Sequence, residues 1–290
     1  MIIDKNIPRK EKITRDRLQF IKDTPTPLMS VVEISNSGMC NRKCSFCPRS
    51  DPEYNHVNEF ISKELHTKIF TELSDLKYKG MVIYSGYVEP LLDKKIYESI
   101  AEARKFLPEA QIEIITNGDV LNAERAKKLF ESGLSTLLIS VYDGPQEEKN
   151  FYKLCKDLKL QDNQFVIRNR YDPNNNYGLN LSNRSGNLKN AEFKVQPLER
   201  SLKTVCNYPA YTFFLDYNGD VQMCSHDWGK KYIIGNVKKE KIIDIWQNKK
   251  FQAARKNLLK SNRSFSPCNK CDVEGNLIGN NHANAWLKNL

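Results

Sequence analysis

Residues 30–47 are SVVEISNSGMCNRKCSFC, a strand-like apolar run that leads directly into three cysteines. Cys40, Cys44 and Cys47 have the spacing C-x3-C-x2-C, and three thiolates can hold three of the four irons of a 4Fe–4S cluster while the fourth iron keeps an open position for a ligand. A structural zinc is the alternative, but zinc usually takes four protein ligands and no cysteine or histidine occurs in the eight residues that follow. The loop therefore predicts an iron–sulfur site with an open iron.

The pattern around this loop alternates between strands and helices. Strands are expected at 30–35, 81–86, 111–118, 136–143, 164–170 and 178–182, and helices at 62–76, 93–106, 122–133 and 145–158. Such alternation predicts βαβ units in an α/β fold, with about six parallel strands in an open or partial barrel. Ligands of parallel sheets collect at the carboxyl ends of the strands, so the functional residues are expected just after each strand.

Composition limits the class of protein. The 290 residues carry a net charge of +10 and 40% hydrophobic side chains, enough for a sizeable core. The sequence shows no apolar run long enough to span a bilayer and no signal-peptide stretch in its first dozen residues, which predicts a cytoplasmic protein without membrane contact. No interleaved aromatic and basic stripe indicates nucleic acid. Eight cysteines in a reducing compartment favour metal binding over disulfides.

A second cysteine set marks the C-terminal part of the chain. Asn218-Gly219 lies between two alternating runs, which predicts a hairpin, and a long helix is expected over 241–260. Four further thiols surround these elements: Cys206, Cys224, Cys268 and Cys271. Four thiolates suit a closed 4Fe–4S cluster or a structural zinc. We divide the chain into an N-terminal extension (1–28), a parallel α/β domain (29–200) and a small hairpin-plus-helix domain (201–290).

The motifs together resemble the radical SAM superfamily over roughly residues 30–185. CNRKCSFC matches the motif of that family, and Phe46 stands where the family packs adenine. SGYVEPLL (85–92) is similar to the Gly-rich segment of the family, although Val88 replaces its usual glycine. The resemblance implies a partial (β/α)6 radical SAM barrel. It also implies a set of S-adenosylmethionine contacts: Gly86, Tyr87, Val88, Glu89, Pro90, Thr116, Asn117, Ser140, Tyr142 and Arg168.

The C-terminal cysteine pattern is similar to that of the SPASM/Twitch domains. A full SPASM domain continues with further cysteines, and residues 272–290 contain none, so the shorter Twitch form with one auxiliary 4Fe–4S cluster is expected. A closed cluster cannot bind S-adenosylmethionine, which leaves electron transfer as its role. The implied cofactors are S-adenosylmethionine and two 4Fe–4S clusters, served by an external one-electron reductant of the flavodoxin or ferredoxin type.

Three residues are candidates for contact with the substrate. Arg184, after the last expected strand, would anchor a polar or anionic substrate or tie down its own loop. His226 and Asp227 would accept a hydroxyl proton or shield the auxiliary cluster. Cys155 is expected in the core, with a hydrogen-donor role as the alternative. His66 and His282 are expected at the surface.

The resemblance implies an oxidoreductase that dehydrogenates or epimerises a hydroxyl-bearing small molecule. Cyclitol dehydrogenases and sugar epimerases are the nearest class. Two alternatives stay open at this point: a maturase of ribosomal peptides, for which an N-terminal extension of 28 residues is too short to be a leader-binding domain, and a non-enzymatic iron–sulfur electron carrier.

Overall fold

A computed structural model describes residues 4–189 and 195–289; residues 1–3 of the expected N-terminal extension lie outside it. One eight-stranded sheet with the order β5-β4-β3-β2-β1-β6-β7-β8 organises these residues. The strands are β1 (Val31–Ser35), β2 (Met81–Tyr84), β3 (Gln111–Thr116), β4 (Thr136–Val141), β5 (Phe165–Asn169), β6 (Thr212–Asp216), β7 (Asp220–Gln222) and β8 (Ile233–Asn236). The expected mostly parallel α/β fold is confirmed.

Nine α-helices occur in the described ranges. They are α1 (Asn6–Asp16), α2 (Lys63–Asp75), α3 (Ile96–Phe106), α4 (Ala123–Glu131), α5 (Pro145–Asp157), α6 (Tyr208–Tyr211), α7 (Ile242–Gln247), α8 (Lys249–Leu259) and α9 (Asn280–Leu287). Polar side chains fix several helix starts: Ser62 accepts a hydrogen bond from the first turn of α2, and Asn122 does the same for α4. None of these helices is long and apolar enough to cross a membrane.

The sixth parallel strand is not the one that the sequence pattern indicated. Residues 178–182 form no strand and follow a 3-10 turn at Pro173–Gly178. Instead β6 pairs in parallel with the free edge of β1, from Val31 opposite Thr212 to Ser35 opposite Asp216. The C-terminal strand β6 thus lies beside β1, the strand that leads into the first cysteine loop.

The expected hairpin is present, and β6 and β7 pair antiparallel across the Asn218-Gly219 turn. The helix expected over 241–260 is two helices, because Asn248 adopts an extended conformation between them. Its side chain accepts a hydrogen bond from Phe251 N and so begins α8.

Strand alternation divides the core between the two faces of the sheet. Val32 and Ile34 point into the large core shared with the surrounding helices. Val31 points to the other face, where Ile7 and Ile13 of α1 pack beside Ile278. This second face, partly filled by α1, is the one on which the site lies.

Two histidines expected at the surface are buried. His66 hydrogen-bonds Glu102 and Tyr84, at 2.5 and 2.8 Å. His282 is fully buried in α9 beside Tyr211, and neither of its ring nitrogens has a hydrogen-bond partner. Helix α9 uses His282 as a packing residue, which its polar sequence surroundings did not indicate.

His282 makes stability depend on pH. Burial lowers its pKa from 6.5 to about 4, so its contribution is fully present above pH 6.5 and is lost as the pH falls toward 4. Between pH 7.5 and 5.5 we expect the wild type to lose about 1.3 kcal/mol more stability than His282→Gln, or about 2 °C in melting temperature. Thermal unfolding of both proteins at the two pH values measures this. A difference in melting temperature that does not change with pH would contradict it.

Candidate functional site

A cavity of about 630 Å³ opens on the inner face of the sheet. Its wall includes residues in or directly after each of the first five parallel strands: Glu33, Ser85, Thr116, Asn117, Ser140 and Arg168. Further parts of the wall come from the start of α1, from 176–184, from Tyr208 and Tyr211, and from the C-terminal residues Ser225, His226, Trp228 and 272–278. The position at the carboxyl strand ends is the one that the fold predicts.

The first cysteine loop lies at this cavity, and Cys40, Cys44 and Cys47 all line it. Arg42 holds the loop in place through hydrogen bonds to Asp119, at 2.8 and 2.9 Å, and to Asp143, at 2.7 and 2.9 Å. These two aspartates follow β3 and β4. The loop is therefore fastened to the neighbouring strand ends by bidentate pairs, which are geometrically specific.

The three thiols lie close enough together to influence one another. Burial raises the pKa of Cys44 to about 12, and the charges of Cys47 and Cys40 add to this increase. All three thiols line one cavity, and three thiolates are the donor set of a 4Fe–4S cluster that keeps one iron open for a ligand.

Phe46 is buried within an aromatic group beside the loop. Its ring is nearly parallel to that of Tyr142, with centroids 6.3 Å apart, and it contacts Tyr177 at 4.8 Å. All of the other S-adenosylmethionine contacts expected from the sequence line the same cavity except Pro90, which begins a buried turn behind it.

Glu89 connects the Gly-rich segment to the end of β3. Its carboxylate accepts hydrogen bonds from Thr116 Oγ1 at 2.7 Å, Asn117 N at 2.6 Å and Leu91 N at 2.9 Å. Burial raises its pKa to about 7 despite these donors. Glu89 therefore positions the two strand ends, and Asn117 in turn reaches Asn41 in the cysteine loop at 2.8 Å.

Gly86 and Tyr87 pack against the C-terminal hairpin. Gly86 has a φ of +94°, and a Cβ there would lie 3.1 Å from the ring of Phe214, so glycine suits both the backbone and the space. Tyr87 donates a hydrogen bond to Gln222 at 2.8 Å and contacts Trp228 at 4.2 Å between ring centroids. The segment that replaces the usual glycine with Val88 is thus supported from behind by β6 and β7.

Arg168 lies at the end of β5 with its side chain in the cavity. It donates to Ser140 Oγ at 2.8 Å and lies 3.8 Å from a carboxylate oxygen of Asp4. Its Nε is buried without an acceptor. Arg170 forms the closer ion pair with Asp4, which leaves donors of Arg168 available to a ligand.

The second cysteine set surrounds a separate small cavity of about 20 Å³. All four thiols are buried: Cys206, Cys224, Cys268 and Cys271. Burial raises the pKa of Cys224, with further increases from Cys206 and Cys271, which shows that the thiols converge. A Cβ on Gly275 would lie 2.5 Å from the sulfur of Cys206, so this glycine lets residues 272–279 cover the site closely.

Two aromatic residues separate the cavities. Tyr208 and His226 line both of them, and their Oη and Nε2 atoms lie 2.9 Å apart. The Nδ1 of His226 faces a guanidinium nitrogen of Arg184 at 3.4 Å. Because arginine only donates, Nδ1 carries the lone pair and Nε2 carries the hydrogen.

Asp227 does not belong to the site, although the sequence suggested a catalytic role. It lines neither cavity, and its carboxylate accepts hydrogen bonds from the backbone of Lys231 at 3.1 Å and Tyr232 at 2.7 Å. Asp227 thus stabilises the turn after Cys224.

Two cavity residues were missed by sequence reasoning. Glu33 lies in the middle of β1, nine-tenths buried, and accepts a hydrogen bond from Ser85 at 2.6 Å. A carboxylate inside an otherwise apolar strand was a visible signal. Lys10 of α1 also lines the cavity, and nothing in its charged sequence surroundings distinguished it from its neighbours.

A family model described as the radical SAM superfamily matches residues 34–169, and one described as a SPASM iron–sulfur cluster-binding domain matches residues 206–272. An S-adenosyl-L-methionine-dependent 2-deoxy-scyllo-inosamine dehydrogenase of Niallia circulans is 29% identical over 246 residues, which is 84% of this chain and 93% of that protein. A GTP 3′,8-cyclase of Aquifex aeolicus is 33% identical, over 46% of this chain and 41% of its own length.

Solved structures show the same similarity. A crystal structure of BtrN in complex with AdoMet and 2-DOIA has a TM-score of 0.72 and 27% identity, covering 86% of this chain and 94% of that one. A structure of anSMEcpe with bound AdoMet has a TM-score of 0.53 at 15% identity, covering 90% of this chain and 92% of that one, which shows the fold alone.

Proposed function

This chain belongs to the radical SAM superfamily and carries a SPASM-type iron–sulfur domain, and on this premise we propose that it dehydrogenates a hydroxyl-bearing small molecule of the sugar or cyclitol class. The observation that carries the proposal is the similarity to a cyclitol dehydrogenase along 93% of the length of that enzyme. S-adenosylmethionine, a 4Fe–4S cluster and an auxiliary iron–sulfur cluster are the cofactors of this enzyme.

When bound, S-adenosylmethionine and its cluster would supply a 5′-deoxyadenosyl radical that removes a hydrogen atom from a carbinol carbon, and the auxiliary cluster would accept the electron left behind. Formation of the ketone then also requires a base that accepts the proton of the hydroxyl group. We propose Cys40, Cys44 and Cys47 as the ligands of the first cluster, and the four C-terminal cysteines as those of the auxiliary cluster.

The chain's own residues orient the substrate between the two cysteine sets. Glu33 is proposed as the proton acceptor, because it faces the cavity and forms no ion pair in the described ranges. One of its oxygens accepts from Ser85, which leaves the second for a substrate hydroxyl. Tyr208 and His226 form the wall through which the electron passes, in contact with both cavities.

Epimerisation is less well supported than dehydrogenation. A hydrogen donor would be needed beside the substrate, and Cys155 is 1% exposed in the core and lines no part of the cavity. The peptide-maturase and electron-carrier alternatives are not favoured by the relatives. The external reductant of flavodoxin or ferredoxin type and the cytoplasmic location are part of the proposal.

The function is tested with anaerobically reconstituted protein, a chemical reductant and a panel of cyclitols and amino sugars. We expect one 5′-deoxyadenosine for each ketone formed, with deuterium transferred into it from the oxidised carbon of a labelled substrate. If the substrate is converted to a stereoisomer and no ketone is formed, the enzyme is an epimerase and the proposed dehydrogenation is wrong. Failure across the whole panel would refute the substrate class.

A further inference from the structure

Helix α1 forms one wall of the substrate cavity. Ile7 and Ile13 pack on the inner face of the sheet, and Arg9 forms an ion pair with the buried Glu113 of β3. At its middle, Glu11 accepts a hydrogen bond from Gly279 N at 2.6 Å. These contacts join α1 both to the parallel strands and to the segment that leads into α9, so its orientation is fixed on two sides.

The first turns of this helix present polar groups to the cavity. Asp4 is neutralised by the arginine pair at the end of β5. Lys10 also lines the cavity and is partly buried, but it has no ion-pair or hydrogen-bond partner in residues 4–189 and 195–289. A partly buried ammonium group that faces a cavity and has no acceptor among these residues can pair with an anionic ligand.

Arg184 lines the same cavity. Its backbone has a φ of +48°, a conformation that costs a non-glycine residue about 1 kcal/mol. Asn183 holds the loop there, with side-chain donors to Gln196 O at 2.9 Å and Lys270 O at 2.7 Å. Arg184 forms no ion pair with any acid in the described part of the chain, and its Nε is buried without an acceptor.

Both cations line the cavity at which His226 lies. A guanidinium nitrogen of Arg184 lies 3.4 Å from its Nδ1, and burial lowers the pKa of the ring, with further contributions from the charges of Arg184 and Lys10. Arg184 also lies near Cys47 and would offset some of the negative charge of a cluster bound there. In residues 4–189 and 195–289 Lys10 has no ion-pair partner of its own.

We propose that Lys10 and Arg184 bind an anionic group of the substrate, a carboxylate or a phosphate monoester, which makes α1 a specificity element of the enzyme. The inference rests on the proposed function for the polyol part of the substrate. It adds to that function the charge of the substrate and the side chains that recognise it.

The experiment measures binding rather than turnover. Isothermal titration of the reconstituted, S-adenosylmethionine-loaded protein is carried out anaerobically with four probes that share one scaffold: glucose, glucosamine, glucuronate and glucose 6-phosphate. Glucuronate, glucose 6-phosphate or both are expected to bind at least about tenfold more tightly than glucose, and glucosamine no better than glucose. The two anions distinguish a carboxylate from a phosphate substrate.

Lys10→Met keeps the aliphatic stem and removes the charge, and it is expected to cut the anion preference about tenfold with an unchanged melting temperature. Lys12→Met, an exposed lysine on the same helix that does not line the cavity, should leave the preference intact. No detectable anion binding, equal binding of glucose and both anions, or a preference that survives Lys10→Met would overturn the inference. Anion binding without dehydrogenation of any probe or polyol would instead sink the proposed function and leave the anion site standing.

Discussion

Alanine at Cys40, Cys44 and Cys47 together should reduce the iron of the reconstituted protein from about eight to about four atoms per chain and abolish 5′-deoxyadenosine formation. Removing the three thiols at the cavity leaves no donor set for the open cluster, whereas the C-terminal thiols lie around a different cavity. Iron and sulfide analysis, together with chromatography of the nucleoside product, measures both effects.

Cys155→Ala is the matched control for this triple variant. Its thiol is buried in the core of α5 and lines neither cavity, so iron content and nucleoside formation should remain at the wild-type level. An unchanged iron content in the triple variant would contradict the assignment of the first cysteine set, as would a comparable loss in Cys155→Ala.

Alanine at Cys268 and Cys271 has a different expected result. About four irons should again be lost, but S-adenosylmethionine should still be cleaved, while ketone formation falls below detection. The substrate radical would then lose the acceptor for its electron behind the Tyr208 and His226 wall. The measurement compares ketone with 5′-deoxyadenosine, and the ratio should fall from about one toward zero.

Metal analysis of the wild type distinguishes an iron–sulfur cluster from a zinc ion at the four C-terminal cysteines. About four irons plus one zinc per chain would make the C-terminal site structural and end its role as an electron acceptor. Circular dichroism of the double variant is the control for folding, because buried thiols in this region also pack against Leu258 and Met223. A ketone yield that survives in a folded variant would equally contradict the prediction.

The first five strands were predictable because each is a short apolar run at a boundary between helix patterns. The 178–182 strand was wrong because GLNLS has the alternation of a strand without a neighbour to pair with. Conversely, the run at 212–216 was recognised as one arm of a hairpin. Its second pairing, with β1, joins residues far apart in the sequence and leaves no local signal.

The candidate site shows the same division. Cysteine spacing and strand-end motifs identified the residues that depend on local order. The structure brings the first cysteine set and nearly all of the strand-end residues to one cavity, and the second cysteine set to another. Asp227 was placed there because it neighbours His226, but the turn directs its carboxylate to backbone donors. Lys10 could not be found, since only the packing of α1 in the tertiary structure turns it inward.

The pairing of β6 with β1 also governs how the chain folds. Val31 and its partner Thr212 are 181 residues apart, so during synthesis β1 exists for most of the process with an uncovered edge. Such long-range pairing slows folding, and a bare strand edge invites association with other chains. A fragment that stops before residue 212 would keep that edge permanently. It would also lack the hairpin that packs against Gly86 in the segment after β2. The five parallel strands β1–β5 therefore depend on the C-terminal residues for solubility as much as for chemistry.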